Sequence, residues 1–226
     1  INFHNFSLLP VVVLLNIGVL ASTRASDLQA IIDAIEAKEL NVKISVVVSD
    51  KKDAYALERA KKHGIEAVFI DAKAEDILAV KDKEERREAF DRKVAAELEK
   101  HDVELILAIG YMRIIGQWLV DKFRNKIINI HPSLLPAFAG GMDKDVHKDV
   151  LESGVKETGC TLFFIDETVD AGPVIFKKKV DVEENETVDT LKEKVQKAEQ
   201  EVLIRAIKLY DGGKLKVENG KVEIVE

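Results

Sequence analysis

Asn129 and His131 lie two positions apart in Ile127-Ile128-Asn129-Ile130-His131-Pro132, and an aspartate, Asp170, follows in the turn-rich run Thr168-Val169-Asp170-Ala171-Gly172-Pro173. Side chains two apart in a strand point to the same face, so a strand ending at His131 sets an amide beside an imidazole. Pro132 has no N–H to donate and ends the ladder there. This pair suits acyl transfer to an amine. Attack on the acyl carbon creates a tetrahedral oxyanion, and hydrogen-bond donors aimed at it are worth roughly 3–4 kcal/mol each. The attacking nitrogen must also lose a proton. A carboxylate is needed to keep the imidazole protonated, since an isolated one has a pKa of about 6.5, and Asp170 is the candidate. Each residue also has a plainer reading, a polar strand end or a turn aspartate; their joint occurrence is the signal.

The elements that must position this trio are short apolar runs at Leu15–Ala21, Ile44–Ser49, Ala67–Ile70, Leu105–Ile109 and Ile127–Ile130, without polar alternation. Runs of that kind read as strands buried on both faces. Amphipathic helical stripes lie between them, one through Leu28, Ile31, Ile32 and Ile35 and another through Phe90, Val94 and Leu98. The alternation predicts an α/β fold with a doubly wound, mostly parallel sheet. Such sheets bind ligands at the carboxyl ends of their strands, where His131 falls. Ser26 with Gln29 suggests a capping box, while Gly64 and Gly154 suggest helix ends, the latter for a helix starting after Asp145. Beyond residue 155 the pattern changes to longer strands, Thr158–Ile165 and Pro173–Val182, which are antiparallel additions on the C-terminal side. A helix follows from Val188 to Leu209, then a hairpin turning at Asn219-Gly220.

The 226 residues suit one sizeable core, with residues 1–13 an extension of unknown role, 14–213 the catalytic domain and 214–226 the hairpin. A net charge of −7 with interleaved signs describes a solvated surface and offers no groove for nucleic acid. Cys160 is the only cysteine, so neither an intramolecular disulfide nor a thiolate zinc cluster can be built, and a reducing cytoplasm fits. No metal is expected. The apolar stretch from Leu8 to Leu20 is too short to span a bilayer and contains Pro10 and Asn16, so no membrane association is expected. Oligomeric state is not readable from these residues, and a homodimer stays open.

Asn-Ile-His-Pro-Ser-Leu-Leu-Pro-Ala-Phe from Asn129, Gly159-Cys160-Thr161, and Val169-Asp170-Ala171-Gly172-Pro173-Val174-Ile175 together resemble the folate-dependent formyltransferase family. Ser49-Asp50-Lys51-Lys52-Asp53-Ala54 and Gly110-Tyr111-Met112-Arg113-Ile114 extend the likeness, which runs from about Asn16 to Gly213. It is strongest toward the members that formylate glycinamide ribonucleotide during purine synthesis.

The resemblance implies a Rossmann-like formyltransferase fold with Asn129, His131 and Asp170 as catalytic residues. It implies 10-formyltetrahydrofolate as the formyl-donor cosubstrate, held by backbone groups of Met112, Arg113, Ile114 and Ile115. The loop from Asp166 to Ala171 would close over the folate, and Arg87 would contact it. For the acceptor it implies Ser22, Thr23, Arg24, Ala25, Ser26 and Asp27 as the phosphate loop, with Pro132, Gln196 and Glu199 nearby. The glycines and asparagine usual in that loop are absent, Phe163 replaces a common histidine, and Gly140–Asp145 forms a longer, different loop. Two other readings stay open: formyl transfer to a different amine, and a catalytically silent folate- or nucleotide-binding relative.

Overall fold

A computed structural model describes residues 14–141 and 143–225, so the extension at 1–13 lies outside the described residues. Five parallel strands form the body of the sheet: β1 (Leu15–Leu20), β2 (Val42–Ser49), β3 (Glu66–Phe69), β4 (Leu105–Ala108) and β5 (Ile127–His131). Two antiparallel strands, β6 (Glu157–Phe164) and β7 (Val174–Asp181), complete a seven-stranded sheet in the order β3-β2-β1-β4-β5-β6-β7. The predicted α/β class and parallel body are both present. β8 (Leu215–Glu218) and β9 (Lys221–Ile224) form a separate hairpin whose Leu215, Val217 and Val222 pack on the main core. It turns at Asn219 and Gly220, both at positive φ, as its Asn-Gly dipeptide predicts.

Helices cover both faces, which is why the central strands carry apolar side chains without alternation. On one face α1 (Ser26–Glu36), α2 (Tyr55–Lys62), α6 (Asp143–Ser153) and α7 (Val188–Asp211) enclose Ile17, Val19, Leu105 and Leu107. The other face holds Leu20, Val46 and Ile106 against α3 (Glu75–Leu78), α4 (Lys83–Lys100) and α5 (Gln117–Lys122). Phe90, Val94 and Leu98 of α4 are fully buried there, as their spacing predicts. Among the described residues no helix is long and apolar enough to cross a membrane.

Two local expectations fail. Ser26 is not a cap: it is the first helical residue, and Ala25 stands at the N-cap in the left-handed region at φ 43 with no side-chain cap bond. The Gln29 side chain, which a capping box needs, instead bonds Asp33 and Arg59. α6 begins at Asp143 rather than after Asp145. Gly64 and Gly154 do follow helix ends, at φ 68 and 70.

Candidate active site at the carboxyl edge of the sheet

β5 is the switch strand, parallel to β4 and antiparallel to β6. Its period of two sets Asn129, half-buried, on the same face as His131, which is buried at 5% exposure. The imidazole is anchored through Nε2, 2.9 Å from the carbonyl of Phe138. A carbonyl only accepts, so Nε2 carries a hydrogen and Nδ1 is the nitrogen turned toward Asp170, whose Oδ2 is 3.7 Å away. That spacing allows an ion pair and exceeds a direct hydrogen bond.

Asp170 reaches this point by a reversal of the chain. Phe164 pairs with Ile128, three residues before His131, or about 10 Å of strand. The loop from Ile165 to Pro173 must therefore double back over the sheet. Its neck is tight: Phe164 N donates to Pro173 O at 2.9 Å, and a Cβ on Gly172 would lie 1.9 Å from the Phe164 carbonyl. Within the loop Asp166 accepts from Thr168 N at 2.8 Å, and Asp170 sits at φ 54 with Oδ2 accepting from Gly140 N at 2.9 Å. Gly140 thus aims the carboxylate, a role that nothing in its sequence context signals. The segment after His131 is pinned by Thr161, whose hydroxyl donates to Ser133 O at 2.7 Å and accepts from Leu135 N at 3.0 Å.

The loop after β4 carries Met112, Arg113, Ile114 and Ile115. Met112 and Ile114 expose large apolar side chains, as does Val169 on the doubled-back loop. Exposed apolar groups on two loops at one sheet edge fit a flat aromatic ligand. Asp91 of α4 braces this loop, accepting from Gly116 N at 2.7 Å. Burial pushes the Asp91 carboxyl up to about 6, against the opposing pull of the Gly116 amide and the Arg113 and Arg87 charges. Burial likewise raises the neighbouring Tyr111 phenol, and Asp91 adds to the effect. Arg113 stacks over Phe90 at 4.1 Å. Arg87 lays its stem against Gly116, so close that a Cβ there would meet Arg87 Cδ at 3.2 Å. Its guanidinium pairs with Glu84 at 2.6 Å. It therefore stands beside the loop rather than on a remote solvated face.

The loop after β1 is held by its neighbours. Ser22 is buried, with its N–H on Gly110 O at 3.0 Å and its hydroxyl proton on Asp50, so it has no donor left for a ligand. Thr23 O accepts from Ala56 N at 3.2 Å at the start of α2, and its hydroxyl would lie 2.3 Å from a Cβ on Gly110. Arg24 stacks over Tyr55 at 5.3 Å. Asp27 on α1 and Glu199 on α7 are buried and both act on Cys160 of β6. Its thiol is pushed up to about 12, by burial first and then by Glu199 and Asp27. Gln196, half-buried, precedes Glu199 by three residues and so shares its helix face. Pro132 is half-buried beside His131. The trio and the loops after β1, β4 and β6 thus lie at strand ends, with Arg87 brought in from α4 and Gln196 and Glu199 carried on α7, and Ser22, Asp50, Asp91 and Gly140 act as supports that sequence reading missed as such.

Residues 15–207 match the family described as formyl transferase. The chain is 34% identical to the phosphoribosylglycinamide formyltransferase of Escherichia coli (strain K12) over 203 residues, covering 90% of each. It is 40% identical to the trifunctional purine biosynthetic protein adenosine-3 of Chironomus tentans over 209 residues, 92% of this chain but only 14% of that longer relative. The solved glycinamide ribonucleotide transformylase 1 from Symbiobacterium toebii superposes with a TM-score of 0.84 at 37% identity, covering 94% of this chain and 95% of that one.

Proposed function

The chain belongs to the formyl transferase family, and from that premise we propose that it moves a formyl group from 10-formyltetrahydrofolate to the amine of glycinamide ribonucleotide, a step of purine synthesis. The observation that carries the reading is the imidazole of His131, anchored at Nε2 and turned through Nδ1 toward Asp170 on the face it shares with Asn129.

In this reading the acceptor nitrogen attacks the formyl carbon, forming a C–N bond and a tetrahedral oxyanion. The Asn129 amide and the Nδ1–H of an imidazolium donate to that oxygen, where such donors act most strongly. Collapse breaks the bond to the folate nitrogen. One proton leaves the attacking amine and one arrives on the departing nitrogen. Asp170, 3.7 Å from Nδ1, pairs with the imidazolium and would carry the proton from the attacking amine to the departing nitrogen. The loops at Met112–Ile115 and Asp166–Ala171 would hold the folate ring between them, with Arg87 beside it. Thr23–Asp27, Pro132, Gln196 and Glu199 would face the acceptor.

The test supplies purified protein with glycinamide ribonucleotide and 10-formyl-5,8-dideazafolate and follows the absorbance change of deformylation. Turnover is expected. Intact folate binding without turnover would overturn this choice of acceptor.

A further inference from the structure

We propose that Ser22 is a positioning residue whose hydroxyl ties the loop that would take the acceptor's phosphate to the loop that would hold the formylfolate. The proposal deepens the function proposed above and rests on it.

A serine hydroxyl has one proton and two lone pairs, and here the proton and one lone pair are fixed by their partners. The proton goes to Asp50 Oδ1, 2.5 Å away just after β2. A lone pair accepts the amide hydrogen of Met112, 2.9 Å away in the loop after β4. The Ser22 N–H adds a third tie, to Gly110 O at 3.0 Å. One side chain on the β1 loop thus fastens the ends of β2, β1 and β4, which are adjacent in the sheet. Asp50 is itself set, with a buried side chain and the Lys51 ammonium 3.6 Å from its other oxygen.

The arrangement has a directional consequence. With its N–H taken by Ser22, the Met112 backbone can offer a ligand only its carbonyl, and the hydroxyl sets the plane of the Tyr111–Met112 peptide that leads into it. Substitution by alanine would leave a buried amide and a carboxylate oxygen without their partner. A serine of purely structural value would lower stability and leave ligand affinity alone. A positioning serine on the acceptor-side loop must change affinity for the donor.

The experiment titrates 10-formyl-5,8-dideazafolate into wild type, Ser22→Ala and Asp50→Asn, with no acceptor present. Ser22→Ala should bind about tenfold more weakly, whereas Asp50→Asn, whose amide oxygen still accepts from the hydroxyl, should stay within about threefold of wild type. In turnover, Ser22→Ala should raise KM for the formylfolate about tenfold with kcat changed by less than about threefold. Loss of hydrogen-exchange protection at the Met112 amide should accompany the change. Wild-type affinity in Ser22→Ala overturns the proposal while leaving the proposed function standing. Failure of wild type to bind the folate overturns the function and this inference with it. If Ser22→Ala does not fold, Asp50→Ala removes the group that orients the hydroxyl and should lose affinity about fivefold; unchanged affinity there overturns the proposal equally.

Discussion

The strand end at His131 and the loop from Ala21 to Asp27 occupy the same edge of the sheet but hold their backbones by different means. His131 is the last residue of a strand laddered on both sides, so the sheet fixes its backbone and one carbonyl fixes its ring. The loop after β1 has no ladder beyond Ser22. Ala25 adopts φ 43, a region that costs an L-residue roughly 1–2 kcal/mol and that glycine enters without penalty. Bonds from Ser22 and Thr23 to three neighbouring segments oppose that cost. A side chain carried at the end of a paired strand is thus held by the sheet itself. A loop without glycine at its left-handed position keeps its shape because its neighbours brace it.

The comparison breaks first at the strand end. His131→Ala should lower kcat about a thousandfold with folate affinity little changed, because its donor acts in the transition state. Near-wild-type activity would remove His131 from the chemistry. Asp170→Asn keeps an acceptor for Gly140 N and loses only the charge; kcat should fall about a hundredfold, with the loop's hydrogen-exchange pattern preserved. A change in that pattern would mean that the charge also holds the loop in place.

Asp91 braces the loop after β4 through a buried carboxylate. Its folded pKa of about 6 lies above its ordinary 3.8. Between those values the native state keeps a proton that the unfolded chain has lost, so stability falls as pH rises through that window. Asp91→Asn can still accept from Gly116 N. It should remove this slope, ending on the order of 2 kcal/mol more stable than wild type near neutral pH. Urea melts at several pH values will show the gap widening from pH 4 to 6; a constant gap would sink the assignment. The smallest effect belongs to Ala25→Gly. Relief of the left-handed backbone less the entropy of glycine should leave a gain of about 0.5–1 kcal/mol. A loss would show that the buried Ala25 methyl contributes more packing than its backbone costs.

How much of this was legible beforehand divides along the same line. Asn129 and His131 could be read because strand periodicity alone sets them on one face, and the turn chemistry around Asp170 announced a loop able to fold back. The parallel body of the sheet was legible from strands apolar on both faces. Ser22 was not, because its partners lie 28 and 90 positions away and a hydroxyl in a loop carries no pattern. Asp91 was hidden among the charges of α4, most of which are solvated as expected. The capping box at Ser26 misled because the Gln29 side chain found partners on α1 and α2, a competition that no local rule registers.

The strand order has a consequence for how this molecule comes to exist. β1, β2 and β3 are consecutive in the chain and adjacent in the sheet, and so are β4 through β7. Each group can assemble from nearby sequence, whereas the seam between β1 and β4 closes the longest loop of any pairing within the seven-stranded sheet and carries the largest closure entropy among them. The loop that would face the acceptor follows β1, and the loop that would hold the folate follows β4. On the proposed function the trio and both folate-side loops belong to the β4–β7 half, so the loop that would face the acceptor is the part that joins them only when the seam shuts.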